Sequence, residues 1–293
     1  MTTVTILIAG VCGAATLAAL RWAVWRGFRA PCPPVTMTPG DFGLHHHDVA
    51  IPTANGKILA AWLVPAAPPA PLVVVMHGWG ANAESMLPLA AVLHRRGFAL
   101  LLVDARSHGR SDPDSFSSMP RFAEDIEAAL DWLAARPGDG NRPPSAVLGH
   151  SVGGAAALLA ASRRRDIGAV VSLSAFDHPL RVMRATLARA RIPFHPFGWL
   201  ICRYVERVIG ARFDAIAPTA TIGRVRCPVL VGHGTLDDMV SPDAARAIAA
   251  AAPETARLVL LDGAGHEGPA CYDELGDLLG AFLTGALTAC PQY

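Results

Sequence analysis

The run Ala146-Val147-Leu148-Gly149-His150-Ser151-Val152-Gly153-Gly154 decides how the rest of the 293-residue chain is read. Its first three residues are continuously apolar, as in a strand covered on both faces. From 154 to 162 the chain is rich in alanine and leucine and reads as a helix. Ser151 therefore stands where a strand turns sharply into a helix, with glycine two positions away on each side. Small neighbours are needed there because such a turn is strained and tightly packed. The turn exposes the serine hydroxyl, and the helix N-terminus favours negative charge that develops beside it.

Outward from this turn, short apolar runs recur at 72–76, 98–103, 169–173, 229–231 and 258–261. Segments of helical length separate them. In one of these, Phe122, Ile126, Leu130 and Leu133 share a face behind Pro120. Asn55-Gly56 just ahead of 58–64 signals a hairpin, so two antiparallel strands open the domain. Strands alternating with helices predict an α/β fold with a mostly parallel central sheet flanked by helices. The interval from Leu173 to Val229 breaks the rhythm. Stretches 182–190 and 199–209 read as two helices with Ile192-Pro193 and Pro196 between them. A helical cap insertion over the C-terminal edge of the sheet, at about 177–224, is expected.

A serine at neutral pH needs a general base, and the base needs an orienting acid. Where the nucleophile sits in a G-x-S-x-G turn, the acid and then the histidine follow it in the chain, each after a late strand. His233-Gly234-Thr235-Leu236-Asp237 follows the run 229–231, and Gly263-Ala264-Gly265-His266 follows 258–261. The expected catalytic residues are Ser151, Asp237 and His266, with Asp238 as the rival acid. Attack on a carbonyl also needs two backbone N–H donors for the oxyanion. Val152, next to the nucleophile, supplies one. The loop His77-Gly78-Trp79-Gly80 after 72–76 supplies the other, from Trp79 or from Gly80. The Trp79 side chain reads equally well as ordinary packing.

With these motifs assembled, the chain from about Thr53 onward resembles the α/β-hydrolase superfamily, in particular its serine aminopeptidase-like and esterase-like branch. The likeness rests on the loop at 77–80, on the elbow at Ser151, on Cys227-Pro228 through His233-Gly234, on Asp237 to Val240, and on Gly265-His266. Asp104-Ala105-Arg106-Ser107-His108-Gly109-Arg110-Ser111 also matches a family loop, with Ser107 in place of the usual glycine. The resemblance implies that Asp104, Arg106 and His108 brace that loop. It implies a serine hydrolase that cleaves a small-molecule carboxylic ester or thioester through an acyl-enzyme, without a cofactor. Phe194, Phe197 and Trp199 would then line an apolar acyl site. A peptidase, an acyltransferase or a haloperoxidase-type side activity fits the same triad. A non-catalytic, membrane-tethered scaffold is the rival of another class, and the intact Ser, Asp and His argue against it.

Composition narrows the partners. Twenty-five basic and 24 acidic residues give a net charge of +1, so no overall field recruits nucleic acid. Six scattered cysteines without a CxxC pair fit free thiols in a reducing compartment. His45-His46-His47 suggests a metal, but in an extended segment the middle ring points away from its neighbours. The run from Val4 to Leu20, continued by Trp22-Ala23-Val24-Trp25, is long enough at about 22 residues to cross a bilayer. Arg21, Arg26 and Arg29 follow it, which orients the catalytic domain toward the cytoplasm. A single-pass membrane anchor at 1–29, a linker at 30–43 and the catalytic domain at 44–293 are expected. A cleaved signal peptide lacks the positive start it would need, and a docked helix is the remaining alternative.

Overall fold

Strands β3 (Leu72–Met76) and β4 (Ala99–Val103) are buried along their whole length because helices cover both faces of the sheet. Leu72, Val74 and Met76 enter one core while Val73 and Val75 enter the other. In the same way Ala99, Leu101 and Val103 divide from Leu100 and Leu102. This is the two-residue period of a strand with nothing polar on either side. The computed structural model describes residues 29–136, 145–268 and 272–289, and helical residues between 11 and 27 other than 12, 16, 17, 20 and 24.

A hairpin opens the sheet, β1 (His47–Thr53) against β2 (Lys57–Val64), with a turn at Ala54–Gly56. β2 is antiparallel to β4, and β3, β5 (Ser145–His150), β6 (Ile167–Leu173), β7 (Val229–Gly234) and β8 (Ala256–Leu261) run parallel. The eight strands lie in the order β1-β2-β4-β3-β5-β6-β7-β8. β5 thus lies centrally, with β3 on one side and β6 on the other. The helices Met119–Ala134, Val152–Arg163 and Asp243–Ala250 bury one face of the sheet, and Leu87–Arg95 with Tyr272–Ala289 bury the other. Between β6 and β7 the chain is helical at Pro179–Arg189, Trp199–Ile209, Phe213–Ile216 and Pro218–Thr221. At the start of β1, the rings of His45 and His47 meet at 4.9 Å while His46 turns to Trp62.

The N-terminal expectation is corrected. Among the described residues no helix is long and apolar enough to cross a membrane. The membrane localisation, with its single-pass anchor and cytoplasmic catalytic domain, is overturned by that finding. Residues 1–10 of the expected span lie outside the described residues. Trp25, at the end of the expected span, packs edge-on against Phe116 and donates its indole N–H to the Tyr204 hydroxyl at 3.1 Å. Its polar edge is satisfied by protein, where a membrane anchor would turn it to headgroups.

Candidate active site

The turn after β5 holds Ser151 at φ 53° and ψ −116°, a left-handed backbone that a residue with a side chain rarely adopts. Packing forces it. A Cβ on Gly149 would overlap the Gly153 carbonyl, and one on Gly153 would come within 2.5 Å of the His77 oxygen and 2.6 Å of the Met76 oxygen. The helix Val152–Arg163 therefore crosses directly over the end of β3. The Ser151 amide is anchored on the Leu173 carbonyl at 2.8 Å, which fixes the turn against β6.

His266 reaches this turn from the loop after β8. Its Nε2 lies 3.2 Å from Ser151 Oγ, and its Nδ1 lies 2.8 Å from Asp237 Oδ2. A carboxylate can only accept, so Nδ1 carries the proton and Nε2 is left as an acceptor facing the serine hydroxyl. The loop that carries His266 is held through its own carbonyl, which accepts from His150 Nε2 at 2.8 Å and from the Ser174 hydroxyl at 3.2 Å. Burial lowers the pKa of His150, which keeps that ring neutral as a donor.

Asp237 follows β7. Its Oδ1 accepts from the amides of Met239 at 2.9 Å and Val240 at 2.8 Å. Its Oδ2 faces His233 Nε2 at 3.0 Å as well as His266. Burial alone would raise the carboxyl, but the Val240 amide, the His266 imidazole and the Met239 amide outweigh it and hold the pKa below the ordinary value. Asp238, the rival acid, is exposed.

The helix starts at Val152, so its amide is among those with no acceptor one turn back. On the facing side, Gly78 approaches Ser151 so closely that a Cβ there would lie 3.4 Å from the serine Cβ. Gly78 and Ala81 close a turn through Ala81 N–H to Gly78 oxygen at 3.3 Å. Trp79 and Gly80 are its central residues, and a turn of this kind leaves their amides unused. Beneath, the His77 Nδ1–H donates to the Gly78 carbonyl at 2.7 Å and Nε2 accepts from the Ala105 amide at 3.1 Å. Burial drives the His77 pKa down to about 4, so the ring keeps one donor and one acceptor. The Trp79 side chain packs partly buried against the core and edge-on to His108.

The loop after β4 serves this frame. Asp104 accepts from the amides of Ala83 at 2.7 Å and Arg110 at 3.0 Å. Arg106, fully buried, bonds Asp125 at 2.7 Å and Glu124 at 2.6 Å. His108 Nδ1 lies 3.0 Å from the Arg106 oxygen. None of the three forms a hydrogen bond or ion pair with Ser151 or His266. Phe197 and Trp199 are exposed on the segment between β6 and β7. Sequence reasoning gave no role to His233, His150 or Ser174. His233 and His150 did lie inside quoted motifs, next to Gly234 and Ser151, and that adjacency was the only available signal.

The sheet order, the strained serine turn and the late acid and histidine define the class: the chain belongs to the α/β-hydrolase superfamily. Residues 67–207 match the family described as serine aminopeptidase, S33. An uncharacterized protein of Mycobacterium tuberculosis is 31% identical over 241 residues, covering 81% of this chain and 79% of that one. An sn-1-specific diacylglycerol lipase of Mus musculus is 33% identical over 98 residues, covering 33% of this chain and 30% of the lipase. In structure, an esterase of Pyrococcus furiosus superposes with a TM-score of 0.69 at 20% identity, over 88% of this chain and 99% of that one. At that identity the superposition speaks for the fold.

Proposed function

We propose that the chain is a serine hydrolase that cleaves a small-molecule carboxylic ester or thioester through an acyl-enzyme. The observation that carries this is the single imidazole of His266, 3.2 Å from Ser151 Oγ and 2.8 Å from Asp237 Oδ2. Ser151 Oγ attacks the carbonyl carbon as its proton passes to His266 Nε2, and Asp237 stabilises the imidazolium. The amides of Val152 and Trp79 face the oxyanion. His266 then returns the proton to the leaving group, which departs and leaves an ester on Ser151. Water, deprotonated by His266, attacks that ester, and as the acid leaves, Ser151 Oγ takes the proton back from His266. In this reading residues 177–224 are a cap over the site within a catalytic domain of 44–293, and the apolar side chains of Phe194, Phe197 and Trp199 favour an acyl chain over a charged substrate.

A series of p-nitrophenyl esters of graded chain length, run beside aminoacyl-arylamides, tests the reading. Turnover of esters with little or none of arylamides is expected. Preference for the arylamides would replace the esterase by a peptidase on the same triad.

A further inference from the structure

Residues 29–38 carry no regular secondary structure, and their contacts converge on the loop beside Ser151. Pro31 lies against Gly80, where a Cβ would come within 3.1 Å of the proline Cδ. Asn82 Nδ2 donates to the Pro33 carbonyl at 3.4 Å. Thr36 gives both its amide and its hydroxyl to the two oxygens of Glu84, each at 2.7 Å. Two contacts tie the segment to neighbouring elements: the Cys32 thiol on the Gly109 carbonyl at 3.6 Å, and Trp25 on Phe116 and Tyr204. Gly80 directly follows Trp79, and Asn82 and Glu84 lie a few residues further on. The loop is thus gripped on two sides, by His77 and Asp104 from within and by this segment from without.

We infer that Trp25 and residues 29–36 form a positioning element of the active site, a clamp that holds the loop at 78–84 so that the Trp79 amide keeps its aim. The inference rests on the reading of Trp79 as an oxyanion donor. A loop with glycine at 78 and 80 has wide backbone freedom, and a clamp at three alternate positions removes it. A donor misplaced by about 1 Å can cost about a hundredfold in rate. Because the oxyanion exists only in the transition state, the loss falls on kcat and leaves KM alone. The family match begins at residue 67, so the clamp lies outside the matched segment.

Glu84→Ala and Thr36→Pro each remove both hydrogen bonds between Thr36 and Glu84 and touch neither the triad nor the donors. In the full chain, with p-nitrophenyl acetate, each is expected to lower kcat per fluorophosphonate-titrated site about tenfold with KM nearly unchanged. The double variant should be no worse than the poorer single one, since both lose the same contact. Thr36→Ser, which keeps both donors, should match the unaltered chain. If kcat per titrated site is unchanged in Glu84→Ala and Thr36→Pro, even with a lower unfolding midpoint, the clamp is overturned. An unaltered chain that neither takes up the probe nor hydrolyses esters overturns the reading of the site, and the clamp falls with it.

Discussion

Three donors converge on one carboxylate at Asp237, two amides on Oδ1 and the His266 imidazole on Oδ2, while the nearby His233 Nε2–H goes to the Val240 carbonyl at 2.8 Å. An amide in its place would still accept on one side but would turn an N–H toward a donor on the other. Asp237→Asn is therefore expected to fold and to lose about 10⁴-fold in kcat, as when the wrong histidine tautomer is favoured. Asp238→Asn, at an exposed position, should stay within about twofold of the parent. Steady-state rates with far-ultraviolet circular dichroism as a folding control check both. An inactive Asp238→Asn beside an active Asp237→Asn would reverse the assignment of the acid. The sequence favours Asp237 and leaves Asp238 as its rival, because spacing alone does not say which one the turn after β7 aims inward.

Among the elements, the serine turn is the least tolerant. Gly153→Ala would push a methyl into the carbonyls of His77 and Met76, both backbone and neither free to move. A loss of about 3 kcal/mol, the upper end of what overpacking costs, is expected, read as a lowered urea midpoint or failure to fold. A variant as stable as the parent would show that the helix does not cross β3 so closely. The strands and the helices at Met119–Ala134 and Trp199–Ile209 were legible because apolar runs and a 3.6-residue stripe survive in the sequence. The terminal helix Tyr272–Ala289 went unread, although Leu275, Leu279, Leu283 and Leu287 recur every fourth residue and are buried. Leu279→Ala, at a site with no exposure, should cost about 2–5 kcal/mol in chemical denaturation. A cost under about 1 kcal/mol would mean that this helix is not part of the core.

At the scale of the whole molecule, two buried histidines tie stability to pH. Burial lowers both His77 and His108 from 6.5 to about 4. A depressed pKa means that the unfolded chain binds more protons, so this stability is fully present above pH 6.5 and is lost as pH falls toward 4. The unfolding free energy from urea titrations should be flat from pH 8 to 7 and drop between 6.5 and 4, by a few kcal/mol overall. A flat free energy across that window would show that the two rings are not buried as neutral groups. The fold class was legible because alternating strands and helices leave few arrangements. The N-terminal segment was not. Hydropathy cannot tell a lipid-facing tryptophan from one that packs edge-on against Phe116, and proline richness predicts an extended chain without saying what it lies against.

The proposed chemistry is tested most directly by mass spectrometry of the intact chain after reaction with a fluorophosphonate. One covalent adduct per chain is expected, on the peptide that contains Ser151. It should vanish in Ser151→Ala and form far more slowly in His266→Ala. An adduct on another residue, or labelling of Ser151→Ala to the same extent, would contradict Ser151 as the nucleophile.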